Sequence, residues 1–125
     1  QEYKKAIEFA DQAIKHDRSN PLPHLIKGYT YAEAGDTVSA IKSYLEAVSK
    51  DQDYYDAYIQ LGLIYSVARN PLAIDYFNNA LNIDPQSMEA LYALAMFYQE
   101  AGNADKAIST YNRMLVIDPQ NVYAN

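Results

Sequence analysis

Residues 58–85 read YIQLGLIYSVARNPLAIDYFNNALNIDP, and two apolar stripes of helical spacing lie in that one stretch. Leu61, Ile64, Tyr65 and Ala68 fall at i, i+3, i+4 and i+7, one face of a helix. Ala73, Phe77, Ala80 and Leu81 make a second face. Asn70-Pro71 separates the two, an N-cap residue followed by a proline whose missing N–H costs nothing in a first turn. Asp84-Pro85 ends the second helix. The stretch predicts a helix, a tight turn and a helix.

The same pattern recurs on both sides of this stretch. Ala6-Ile7, Ala40-Ile41, Ala73-Ile74 and Ala107-Ile108 step by 34, 33 and 34 residues. Tyr31, Tyr65 and Tyr98 keep that period, as do Gly28, Gly62 and Ala95, and Ala13, Ala47, Ala80 and Met114. Several independent columns in phase signal an internal repeat. The single 33 spans Tyr65 to Ala73, so one residue is missing there. Asn20-Pro21 repeats the Asn-Pro device, Gly35-Asp36 and Gly102-Asn103 separate paired helices, and Asp118-Pro119 closes another. The reading predicts seven helices, near 2–17, 21–34, 37–50, 54–68, 71–82, 87–101 and 104–117, and no strand.

Composition narrows the chemistry. The chain has 125 residues, half of them hydrophobic, with 16 acidic against 10 basic side chains and a net charge of -6. That balance argues against nucleic acid as a partner, because no dense Lys/Arg footprint is present. With no cysteine, disulfides, thiolate zinc sites and Cys nucleophiles are excluded. Two histidines, His16 and His24, are too few for a His-rich metal cage. The apolar run Leu91 to Tyr98 is far short of a membrane span. No phosphate loop, nucleophile motif or metal spacing occurs, so no catalytic residue, metal ligand or cofactor is assigned and no enzyme is expected within this segment. Asp51, Asp53 and Asp56 cluster near a helix start but lack the glycine and closing glutamate of a calcium loop, and read as a solvated cap. Tyr54, Tyr55 and Tyr58 are an aromatic patch of which Tyr58 belongs to the core columns.

These columns resemble the tetratricopeptide repeat (TPR) family. The best-matching unit carries Tyr58, Leu61-Gly62, Tyr65, Ala73, Phe77, Ala80 and Pro85. The next carries Leu91, Leu94-Ala95, Tyr98, Ala107, Tyr111, Met114 and Pro119. The one before carries His24, Lys27-Gly28, Tyr31, Ala40, Tyr44 and Ala47, with Gln52 in place of the proline. The resemblance implies an all-α fold: a right-handed superhelical stack of antiparallel helix pairs whose first helices line a concave groove. It divides the chain into the second helix of a truncated unit at 1–20, units at 21–54, 55–87 and 88–121, and the start of a further helix at 122–125. Two departures stand out. Lys27 occupies a leucine position, so its stem is expected to pack while its ammonium reaches water. The turn Val67 to Pro71 lacks one residue and the usual glycine, and should be tighter.

The resemblance also locates a groove stripe. It comprises Leu25 and Tyr29 beside Leu22, then Asp56, Ile59, Gln60 and Leu63, then Glu89, Tyr92 and Met96. Its apolar centre, with Glu33 and Glu100 near the acids already named, suits a protein or peptide ligand carrying apolar anchors and some basic charge. The plainer reading of Leu25, Ile59 and Leu63 is helix packing. Chaperone-binding relatives grip a C-terminal carboxylate with Lys, Asn and Arg; the matching positions here, Leu25, Tyr29, Gln60, Glu89 and Ala93, hold no cation, which argues against that ligand. The expected function is a non-catalytic protein-interaction scaffold. The alternatives are a self-associating module that forms a homo-oligomer through exposed end faces, or the regulatory segment of a larger enzyme. The chain opens and closes inside repeat units, and Ile108, Tyr111, Leu115 and Ile117 look for a neighbour whose loss forgoes roughly 3–9 kcal/mol, so a fragment of a longer array is expected. Compartment is left open.

Overall fold

A computed structural model of the chain describes residues 2–120; the expected helix start at 122–125 lies outside them. Seven helices follow in order: α1 (Glu2–His16), α2 (Leu22–Glu33), α3 (Thr37–Lys50), α4 (Tyr55–Val67), α5 (Leu72–Ile83), α6 (Met88–Glu100) and α7 (Ala104–Ile117). No strand occurs among the described residues. The described residues form an all-α fold. The chain forms two compact units, 1–60 and 61–125, with the boundary inside α4.

Side chains cap the helix starts, and four of the five belong to the turn pairs named above. Asp36 and Asn103 accept the N–H groups of Ser39 and Lys106 at 3.1 and 3.2 Å. Ser87 accepts that of Ala90 at 3.0 Å. Asn20 and Asn70 each accept an N–H two residues on, at Leu22 and Leu72, both at 3.0 Å. The prolines between them already have helical dihedrals, φ -72° and ψ -23° at Pro21 and φ -59° and ψ -14° at Pro71, so each opens the first turn one residue ahead of the regular hydrogen-bonded run.

The turns inside the helix pairs share one closure. The carbonyl of the periodic tyrosine accepts an N–H five residues on: Tyr31 from Asp36 at 2.8 Å, Tyr65 from Asn70 at 2.9 Å and Tyr98 from Asn103 at 2.8 Å. This bond needs a left-handed residue before the donor. Gly35 (φ 86°) and Gly102 (φ 81°) supply it in two turns, and Arg69 (φ 58°) in the third. The turn lacking glycine thus keeps its left-handed closure. The missing residue is lost after it, where Ala73 and Ile74 bond the carbonyls of Asn70 and Pro71, three residues back, and α5 opens on that tighter winding.

Each unit has its own core. In the first, Leu25, Ala40, Tyr44, Ala47, Ala57 and Ile59 are buried. A methyl group added to Gly28 would fall on the Tyr44 ring, so this glycine lets α2 and α3 close up. In the second, Leu61, Ala73, Phe77, Ala80, Leu91 and Leu94 are buried, and Gly62 plays the same part beneath Phe77. At the third position of this column stands Ala95, and Tyr111, its aromatic counterpart, is only half-buried. The Lys27 side chain is 22% exposed, and its ammonium meets the half-exposed Asp11 carboxylate at 2.9 Å, tying α2 to α1.

Candidate functional site

Leu25, Tyr29, Asp56, Ile59 and Gln60 belong to the first unit, and Leu63, Glu89, Tyr92 and Met96 to the second. In the first, Leu25 and Ile59 are 3% and 2% exposed and contribute packing, not contact area. The accessible apolar stripe on α2 is Leu22, Ile26 and Tyr29, at i, i+4 and i+7 and all more than one-third exposed. Ile26 had escaped the sequence reading, because one helix's spacing does not reveal which edge a neighbouring helix covers. Tyr29 sets its ring edge-on to Tyr44, with centroids 6.0 Å apart and planes at 71°. Burial, then the charge of Asp56, raises the pKa of the nearby Tyr54 hydroxyl. Burial pushes that of Tyr44 up to about 12.

In the second unit, Leu63 and Val67 are exposed one turn apart on α4. Tyr92 and Met96 are half-buried on α6, with Glu89 exposed one turn before them. The Tyr111 hydroxyl reaches both Gln99 Oε1 at 2.9 Å and Met96 Sδ at 3.3 Å, so it fixes the outward edge of this patch. Glu33 and Asp56 in the first unit, and Glu89 and Glu100 in the second, are exposed acids.

His24, which the repeat column places in the core, is 7% exposed, and its Nε2 has no hydrogen-bond partner. Burial lowers its pKa; Glu46 and Asp11 oppose the shift, while Lys50 and Lys27 add to it. A neutral imidazole with no acid or nucleophile bonded to it is a core residue, not a base. Among the described residues no three His, Cys, Asp or Glu side chains gather as a metal site would require. No described helix is long and apolar enough to cross a membrane.

Comparison with known proteins gives the geometry its family. The family model of the tetratricopeptide repeat matches residues 69–125. Anaphase-promoting complex subunit 3 of Schizosaccharomyces pombe is 23% identical over 98% of this chain, which spans only 19% of that protein. A crystal structure of MamA superposes with a TM-score of 0.82 at 29% identity, covering 98% of this chain and 72% of that one. The structure of YrrB, described as a TPR protein with an unusual peptide-binding site, superposes with a TM-score of 0.78 at 20% identity, covering 98% and 63%. Helix pairs closed by one recurring turn, small residues under aromatic ones at a fixed period, and these likenesses together give the chain the fold of a tetratricopeptide repeat protein, a kind of protein-interaction scaffold.

Proposed function

We propose that the chain is a non-catalytic scaffold, built of units at 21–54, 55–87 and 88–121, that binds an extended peptide or amphipathic helix in the groove of its first helices. The observation that carries this reading is the exposed stripe Leu22, Ile26 and Tyr29 on α2, an apolar helix face in contact with solvent. Leu63, Tyr92 and Met96 offer a comparable surface in the second unit. The acids Glu33, Asp56, Glu89 and Glu100 favour ligands with Lys or Arg beside their apolar anchors. The peptide-binding site on YrrB supports the use of this fold for such a ligand.

The test is fluorescence anisotropy against an array of labelled peptides that varies apolar content and net charge independently. Binding is expected for apolar peptides with basic flanks. Tyr29→Ala with Leu63→Ser should weaken it at least about tenfold, as removal of central contacts does, with far-UV helicity retained because both side chains are exposed. Ile59 is unsuitable for this purpose, since its loss damages the core. Unchanged binding in the double variant removes the groove from consideration.

A second reading, self-association, draws on Phe9 of α1 and Val116 of α7, which are 73% and 84% exposed. Sedimentation across a concentration series decides it: a monomer throughout ends the idea.

A further inference from the structure

A hollow of about 200 Å³ lies in the second unit between α5, α6 and α7. Asn78 lines it from α5, Leu94 and Tyr98 from α6, and Lys106, Ser109, Thr110 and Arg113 from α7. A hollow of about 390 Å³ occupies the same repeat position in the first unit, between α1, α2 and α3. There Asp11 stands for Asn78, Ser39 for Lys106 and Glu46 for Arg113. The pair makes an internal comparison: one backbone setting, two chemistries. The first hollow balances Asp11 and Glu46 against Lys27 and Lys42. The second is lined by two cations and no acid.

This concentration runs against the charge of its surroundings. Residues 61–125 carry three cations, Arg69, Lys106 and Arg113, against six acids. Two of the three stand on this one hollow. Lys106 Nζ is held 5.7 Å from the centroid of the Tyr98 ring. The Thr110 hydroxyl donates to the Lys106 carbonyl at 2.8 Å, turning its hydrogen away from the hollow. Arg113 forms no ion pair, and the side chains of Ser109 and Asn78 no hydrogen bond, among the described residues. A guanidinium, an ammonium, a hydroxyl and a carboxamide therefore border one recess with donors to spare.

We propose that this hollow binds a phosphomonoester dianion. Two cations match its charge near neutral pH, the planar guanidinium can grip two of its oxygens at once, and the ammonium adds a compact charge beside them. The recess is large enough for a phosphate group and the atoms next to its ester oxygen. The source is either free phosphate or a phosphorylated side chain of a partner, and both present the same group. The site is separate from the groove stripe, so either reading can fail without the other.

The test is an amide-shift titration of the 125-residue chain with inorganic phosphate. A parallel titration uses a short, end-blocked phosphoserine peptide of otherwise neutral residues, with its unphosphorylated form and sodium chloride of equal ionic strength as references. Saturable shifts centred on residues 106–113 are expected. Lys106→Ala and Arg113→Ala should each weaken binding about tenfold, the usual worth of a charge-assisted hydrogen bond. Arg113→Glu, which restores the residue type of the first hollow, should abolish it. Both positions of substitution are exposed, so helicity should be unchanged. Tighter binding of the peptide assigns the site to a phosphorylated side chain, and tighter binding of inorganic phosphate assigns it to the free anion. Shifts no larger than those caused by chloride, equal shifts with the unphosphorylated peptide, or an Arg113→Glu variant that binds as well as the parent overturn the proposal.

Discussion

Gly28 and Gly62 sit mid-helix, where alanine is ordinarily the better residue by about 1 kcal/mol. Their neighbours decide the matter the other way. Tyr44 and Phe77 are 1% and 0% exposed, and each lies where the added methyl would go. Overpacking of this kind costs about 1–3 kcal/mol, so Gly28→Ala and Gly62→Ala should both lower the urea midpoint. His24 gives a second prediction at this scale. The unfolded chain takes up a proton near the ordinary value of 6.5, whereas the buried imidazole resists it until lower pH. Stability is then fully present above pH 6.5 and declines as pH falls below it. His24→Leu, the residue found at position 91 in the second unit, should flatten that decline and, by removing an unpartnered buried nitrogen, add about 1–3 kcal/mol at neutral pH. Denaturation measured from pH 5 to 8 checks both statements; a parallel decline in the variant would contradict them.

At the scale of elements, the joints are more regular than the helices. Asp17, Asp51, Asp84 and Asp118 each use a carboxylate oxygen to accept an N–H two residues on, at 3.1, 2.9, 3.1 and 3.1 Å. These aspartates keep the 34, 33, 34 spacing, yet the column went unread because aspartate near a helix end is too common to notice singly. Asp84→Ala should cost about 1 kcal/mol, one net hydrogen bond. Arg69 is the reverse case. An L-residue in the left-handed region pays about 1–2 kcal/mol that glycine avoids, so Arg69→Gly should raise the urea midpoint despite glycine's greater freedom when unfolded. Arg69→Val should lower it, since a branched side chain tolerates that backbone least. A fall in both would mean that the Arg69 side chain stabilises the turn by contacts of its own.

Across the whole molecule, most of the architecture was legible in the residue pattern. Helix bounds differ by only a residue or so from those expected, as with 54–68 against Tyr55–Val67, because caps and prolines carry local instructions. The groove residues were less legible. Leu25 and Tyr29 lie one turn apart, but one is covered and the other open, and the spacing within α2 does not carry the difference. The hollow ringed by Lys106 and Arg113 was invisible for the same reason: Asn78 joins it from another helix, and no spacing links the three.

The boundary between the two compact units falls at Gln60 and Leu61, in the middle of α4. Proteases need a stretch of backbone that can be drawn out into their clefts, and a helix interior does not offer one. Brief digestion with proteinase K should therefore nick the turns near residues 17–21, 34–36, 51–54 and 68–71 while sparing the junction itself. No cut made there would release the halves intact: severing the chain after Gln60 leaves each piece with an unfinished helix and a row of newly orphaned backbone groups.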